Sequence, residues 1–148
     1  MAEEWQRGEY TISTDKSRID IQAVHTFLST SYWAQDVPVP IIERSIEHSM
    51  VFGMYHGTQQ AGFARVITDR ATFAYISDVF ILEPHRAKGL AQWLIDTILN
   101  HPELQGLRRW LLATRDAHTL YQKSGFAPLS APERFMEIRD PDVYRRDR

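Results

Sequence analysis

None of the 148 residues is a cysteine. That absence removes disulfides, thiolate metal ligands and any cysteine acyl-enzyme. No apolar run approaches the roughly twenty residues a membrane helix needs. The opening MAEEWQRGEY has neither the basic start nor the apolar stretch of a secretory signal. A cytoplasmic protein that engages no membrane is expected. A basic excess is missing too. The 17 Lys and Arg face 19 Asp and Glu, for a formal charge of −2, which argues against a nucleic-acid partner. Six histidines are scattered at 25, 48, 56, 85, 101 and 118 with no HExxH or other ligand spacing, so no metal site is expected. Walker, GxGxxG and GxSxG loops are absent as well.

What is present is ordinary globular material, 43% hydrophobic and 24% charged, in a chain long enough to bury a core. No repeat or linker divides it, so residues 1–148 are expected to form one domain with its core over about 10–138. Tyr10–Ser13 reads as a short strand, Asp20 to about Ser31 as a helix, and the proline-bearing stretch 31–40 as a loop. A helix over 41–50 precedes strands at 51–56, 61–68 and 72–82, the first two joined at Gly57-Thr58. A helix from about Ala87 to Asn100 is closed by Pro102 and followed by a short strand at 110–114. Asp116 is a plausible N-cap for a short helix ending at Gly125. Phe126 onward and Phe135–Ile138 complete the chain as two strands. The result is an α/β fold with a mixed sheet and a parallel crossover through the third helix.

Chemistry concentrates at two places. Arg86-Ala87-Lys88-Gly89-Leu90-Ala91 puts small residues and two cations where a strand hands over to a helix. A helix start offers unpaired N–H groups to an anion, and small residues let a ligand approach the backbone. The other reading is a tight turn with two solvated cations. Further on stands LLATRDAHTLYQKSGFAPL.

Together, DVFILEPHRAKGLAQWLI and that second stretch resemble the GNAT N-acetyltransferase superfamily. The first matches its [Gln/Arg]-x-x-Gly-x-[Gly/Ala] acetyl-CoA motif. The second matches A-x-x-L-Y-x-K-x-G-F through Ala117, Leu120, Tyr121, Lys123, Gly125 and Phe126. The resemblance implies a central, mostly antiparallel mixed sheet of about seven strands flanked by about four helices. It implies an acetyl-CoA-dependent N-acetyltransferase. Backbone amides from Arg86, Ala87, Lys88, Gly89, Leu90 and Ala91 would hold the pyrophosphate, and the strand end at Val79, Phe80 and Ile81 would pair with the pantetheine arm. A bulge near there would aim an N–H at the thioester oxygen. Tyr121 would protonate the leaving thiolate, as a phenol with pKa about 10 can at neutral pH; its other reading is a ring that merely packs.

Two positions depart from the usual pattern. Ala87 stands where Gly often follows the Arg, so φ there is expected to stay negative. Thr114 stands where Asn is common, as a weakened polar contact to the cofactor arm. For the acceptor, Asp78 is the carboxylate best placed to take a proton from an amine, or it is structural, bonded to an Arg such as Arg65. Glu83 and His118 read as solvated. Tyr32 and Trp33 are expected at the acceptor pocket, although Trp33 could plug the core, and Arg65 could meet an acceptor carboxylate. The expected function is acetyl transfer from acetyl-CoA to a primary amine of a small molecule, amino acid or peptide by direct attack. The alternative is a non-catalytic acetyl-CoA sensor. A homodimer through the terminal strands is also open.

Overall fold

The computed structural model of the protein describes residues 2–146. Six strands form one sheet in chain order: β1 (Glu4–Arg7), β2 (Tyr10–Ser13), β3 (Met50–His56), β4 (Gln59–Thr68), β5 (Phe73–Ile81) and β6 (Arg109–Leu111). Strands β1 to β5 are antiparallel neighbours, and β6 joins β5 in parallel. Helices α1 (Ile21–Leu28) and α2 (Val39–Glu47) fill the β2–β3 connection. Helix α3 (Leu90–Leu99) makes the parallel crossover, and α4 (His118–Gln122) follows β6. The mixed α/β sheet and four helices match expectation; the strand count is six rather than about seven.

Two ends account for that count. At the front, β1 has one inward aromatic and no apolar alternation, so its sequence hides it. Its signal is the two-residue turn: Arg7 pairs with Tyr10, and Gly8 has φ +59°, the positive first position of a type II′ hairpin. Trp5 then packs on Phe52 and on the fully buried ring of His101. His101 Nδ1 accepts the Glu103 N–H at 3.1 Å, and its Nε2 faces Glu3 at 2.7 Å. Arg70 pairs with Glu103 at 3.0 Å, so this acid–histidine cluster, the one grouping of metal-capable side chains among the described residues, is tied into the fold by that ion pair and by the packing of His101.

At the back, the two expected closing strands do not form. Residues 127–146 contain only single helical turns at Pro132–Arg134 and Val143–Arg145, and Met136 and Ile138 are fully exposed. Strand β6 is three residues long and offers little edge, while Pro128 and Pro132 cannot donate to a ladder. The segment instead runs across the open end of the sheet.

Both sheet faces are covered. Strand β3 alternates Phe52 and Met54 toward α3 with Val51 toward α1 and α2. Helix α3 buries Leu90, Leu94, Ile95 and Ile98, each contributing about 1.5–3 kcal/mol. On the other face Asp20 caps α1 by accepting the Ala23 N–H, and Val24 and Leu28 pack on Ile42, Ile46, Phe63 and Phe80.

Two irregularities of β5 shape everything that follows. Phe63 opposes Phe80, but Arg65 opposes Ser77, so Asp78 and Val79 together face Ala64. This is a β-bulge, and its first residue, Asp78, has φ +57°, a conformation a short polar side chain tolerates better than most. The second is brevity of pairing: β5 and β6 bond only over Phe73–Tyr75 and Arg109–Leu111. Beyond Tyr75 the two strands part.

Candidate active site

The gap between the parted strands opens into a cavity of about 990 Å³. Its floor is the bulged end of β5, its far wall the start of α3, and its rim the α1–α2 loop. Between strand end and helix the chain makes one helical turn at Glu83–His85 and then reverses sharply. Ala87 and Gly89 both have positive φ, +63° and +74°. The expected negative φ at Ala87 and helix start near it are therefore corrected: α3 begins at Leu90, with Gly89 as its N-cap. A reversal this tight needs left-handed residues, which costs an alanine about 1–2 kcal/mol. Left-handed residues flanking Lys88 turn successive N–H groups to one side, making an anion nest at a helix start that has no side-chain cap. A Cβ on Gly89 would meet no protein atom within 4 Å, so the position is small for its φ and for the open space beside it.

Most of the predicted cofactor residues converge here. Val79, Phe80, Ile81, Arg86, Ala87, Gly89, Leu90 and Ala91 line the cavity, together with Tyr32, Trp33 and Tyr121. Lys88 does not line it. Arg86 spends its Nε on the Ile81 carbonyl at 2.8 Å, pinning the strand end to the turn. Thr114 is also absent from the cavity wall; its Oγ1 accepts the Ala117 N–H at 3.0 Å. That bond displaces the expected cap: Ala117, not Asp116, is the N-cap of α4.

A second pocket of about 450 Å³ adjoins the first and shares Tyr32, Trp33, Val79 and Tyr121 with it. Of the two, only this second one is lined by Asp78, Tyr75, Thr114 and Arg139. The Asp78 carboxylate accepts Arg65 Nε at 2.8 Å on one oxygen and Trp33 Nε1 at 2.9 Å on the other. Arg65 also reaches Ser49 and Ser77. Both charges are largely enclosed, with side chains 10% and 16% exposed. Arg65 is thus engaged with its neighbours and lines neither pocket. Trp33 does not plug the core; it is 40% exposed and forms the rim.

Tyr32 is the mirror of Trp33. Its hydroxyl accepts the Arg115 N–H at 2.9 Å, and the Arg115 guanidinium lies 3.9 Å over its ring. Trp33 of the α1–α2 loop is therefore tied to β5 and its neighbour Tyr32 to the segment after β6. The two rings meet edge-on at 5.1 Å, bridging the parted strands and separating the two pockets.

Tyr121 stands at that partition, 9% exposed and packed edge-on against Phe126. Burial first, and the nearby Tyr32 second, push its phenol up to about 12. No hydrogen bond from another described residue occupies its hydroxyl. His85 and Phe27, in the wall of the first cavity, Arg115, in the walls of both, and Arg139, in that of the second, are residues sequence reasoning missed. Arg115 lies inside the second motif stretch and could have been found; Arg139 has no local signal.

Comparison with known proteins accords with this geometry. Residues 4–126 match the model of the acetyltransferase (GNAT) family. A Gibberella zeae protein with the curated name "Putative acetyltransferase FG08082" is 35% identical, over 81% of this chain and 80% of its own. A crystal structure of a GNAT family protein from Xanthomonas campestris pv. campestris superposes with a TM-score of 0.89 at 47% identity, covering 91% of this chain and 96% of that one. The fold is shared more distantly with a GNAT family acetyltransferase from Elizabethkingia anophelis with acetyl-CoA bound, at TM-score 0.62 and 14% identity, over 82% of this chain and 78% of that one.

Proposed function

The chain belongs to the acetyltransferase (GNAT) family, and on that premise we propose that it transfers an acetyl group from acetyl-CoA to a primary amine by direct attack in a ternary complex. The observation that carries this reading is Tyr121, placed on the wall common to both pockets. Acetyl-CoA supplies an activated thioester, and the chain fits it: the nest at Ala87–Gly89 and the uncapped start of α3 suit a pyrophosphate, beside a long cavity that suits the pantetheine arm. Val79, second residue of the bulge, is the donor that would stabilise charge on the thioester oxygen. The nitrogen–carbon bond forms as the carbon–sulfur bond breaks, and the nitrogen loses a proton to solvent.

In this reading Tyr121 gives a hydrogen bond to the departing sulfur. A phenol at about 12 stays protonated, but handing its proton to an ordinary thiolate is uphill by roughly three units. Transfer is then completed only as positive charge develops on the attacking nitrogen. Asp78, with each oxygen taken by a donor, holds Trp33 and the bulge in register and is a positioning residue. A cytoplasmic location belongs to the same reading. No helix among the described residues is long and apolar enough to cross a membrane.

Calorimetry with acetyl-CoA and CoA, followed by thiol release with an amine panel, tests the proposal. Binding with amine-dependent CoA release is expected; no binding at millimolar concentration would sink it. Binding with no release beyond hydrolysis would favour the sensor, against which the placement of Tyr121 already argues.

A further inference from the structure

The second pocket has a charge pattern of its own. Asp78 is neutralised by Arg65 at 2.8 Å, and Asp116 lies 3.6 Å from Arg115. The remaining charged group in its wall is Arg139, which has no ion pair or hydrogen bond with any described residue. Two matched pairs and one lone cation leave the pocket with a positive charge in excess. An unpaired guanidinium in a concave wall is a receptor for a carboxylate or phosphate, which its planar fork can grip with two hydrogen bonds.

The placement of Arg139 is not accidental to the fold. It sits in the segment that replaced the expected closing strands, and that segment is tied on either side of it. Arg109 of β6 lies 4.9 Å over the Phe135 ring. Arg145 bonds Gln35 at 3.0 Å and pairs with Asp36 at 3.5 Å, in the same loop as Tyr32 and Trp33, while Arg146 holds Asp140 at 2.9 Å. The strap therefore runs from one arm of the parted sheet to the loop that bridges both arms, and it delivers Arg139 to the mouth in between.

Resting on the acetyl-transfer reading above, we propose that the acceptor is a primary amine that also carries an anionic group, and that Arg139 is the residue that selects it. The amine enters beside Tyr121 and the anion is held at the strap. A pocket of about 450 Å³ belongs to the size class of small-molecule sites, so the ligand is a free metabolite-sized amine rather than a folded protein's lysine.

The test uses matched amines in three forms, a free carboxylate, its carboxamide and a phosphonate, with the wild-type protein, Arg139→Ala, Arg139→Lys and Arg139→Glu. One anionic form should exceed the carboxamide in kcat/KM by about ten- to a hundred-fold, the scale of a charge-assisted hydrogen bond. Which anion wins distinguishes carboxylate from phosphate. Arg139→Ala should erase the preference through KM, with acetyl-CoA affinity, which depends on the other pocket, unchanged. Arg139→Lys should restore part of it, and Arg139→Glu should favour the carboxamide. Equal rates for charged and neutral forms, or a preference that survives Arg139→Ala, would each overturn the proposal, whereas acetyl-CoA binding with no turnover of any amine would overturn the acetyl-transfer reading on which it rests. Failure to bind acetyl-CoA would overturn the reading beneath it.

Discussion

The two pockets on either side of Tyr121 are built in opposite ways. The pocket proposed for the cofactor takes its anion cradle from one stretch, Val79 to Ala91, where a bulge, a left-handed turn and a helix start follow one another and the backbone would do the binding. The pocket proposed for the acceptor joins two short strand-end stretches, Tyr75 to Val79 and Ala113 to Ala117, and adds side chains from distant segments: Tyr32 and Trp33 from a loop and Arg139 from the strap. Backbone sites tolerate changes of side chain but not of φ, and side-chain sites the reverse. Substitutions should therefore separate the two halves cleanly.

The largest effect should fall on the partition itself. Tyr121→Phe is expected to lower turnover about a hundred-fold or more, as loss of general acid assistance does, with acetyl-CoA affinity unchanged by calorimetry. An unaltered rate would remove Tyr121 from the chemistry. Asp78→Asn should follow, with roughly a ten-fold or greater fall in kcat/KM for the amine as Trp33 and Arg65 lose a shared charged partner. If Asp78 positions rather than accepts a proton, the acidic limb of the pH–rate profile survives in this variant; its disappearance would restore the base role.

The opposite half is probed by Gly89→Val, where a β-branched residue must adopt φ near +74°. The expectation is acetyl-CoA binding weakened about ten-fold, from backbone strain and a side chain in the space beside the nest, with the amine KM unmoved. Retained affinity would mean that this turn is not the cradle.

A smaller, pH-dependent effect tests how well the partition is sealed. Tyr121 and Tyr55 are both pushed up to about 12 by burial, whereas in the unfolded chain they ionise near 10. Their contribution to stability is complete below pH 10 and is lost as pH rises from 10 through 12. The urea midpoint should fall across that window, and less steeply in Tyr121→Phe; equal slopes would place the hydroxyl in solvent. Smallest of all, Ala87→Gly relieves a left-handed alanine and should raise stability by up to about 1 kcal/mol, leaving amine kinetics unaltered.

The same contrast explains what could be read from the sequence. Arg86 to Ala91 is legible because a nest and a helix start need only a short local pattern, and the later Leu120-Tyr121 stretch names its companion. Even so, the pattern did not disclose that Ala87 would be left-handed, or that Arg86 would turn back onto Ile81, because both depend on where the preceding strand ends. Asp78 was recognisable as either a base or a structural partner of Arg65, and only the three-dimensional meeting with Trp33 decides how its oxygens are used. Strand β1 escaped because a polar edge strand carries no alternation. Residues 135–138 misled for the converse reason: Phe135 to Ile138 has strand composition, but β6 is too short to recruit it. Arg139, one exposed arginine among several, gives no sign until the strap is seen to cross the mouth.

The bridge of Tyr32 and Trp33 has a thermodynamic corollary. Because each ring is fastened to a different arm of the parted sheet, the slot is held open by protein contacts alone. A ligand entering it need not order a loop, so little conformational entropy opposes binding. Thermal stabilisation by CoA should then track ligand concentration as simple mass action, RT ln(1 + [L]/Kd). Proteolytic susceptibility of the α1–α2 loop should be the same with the slot empty or filled.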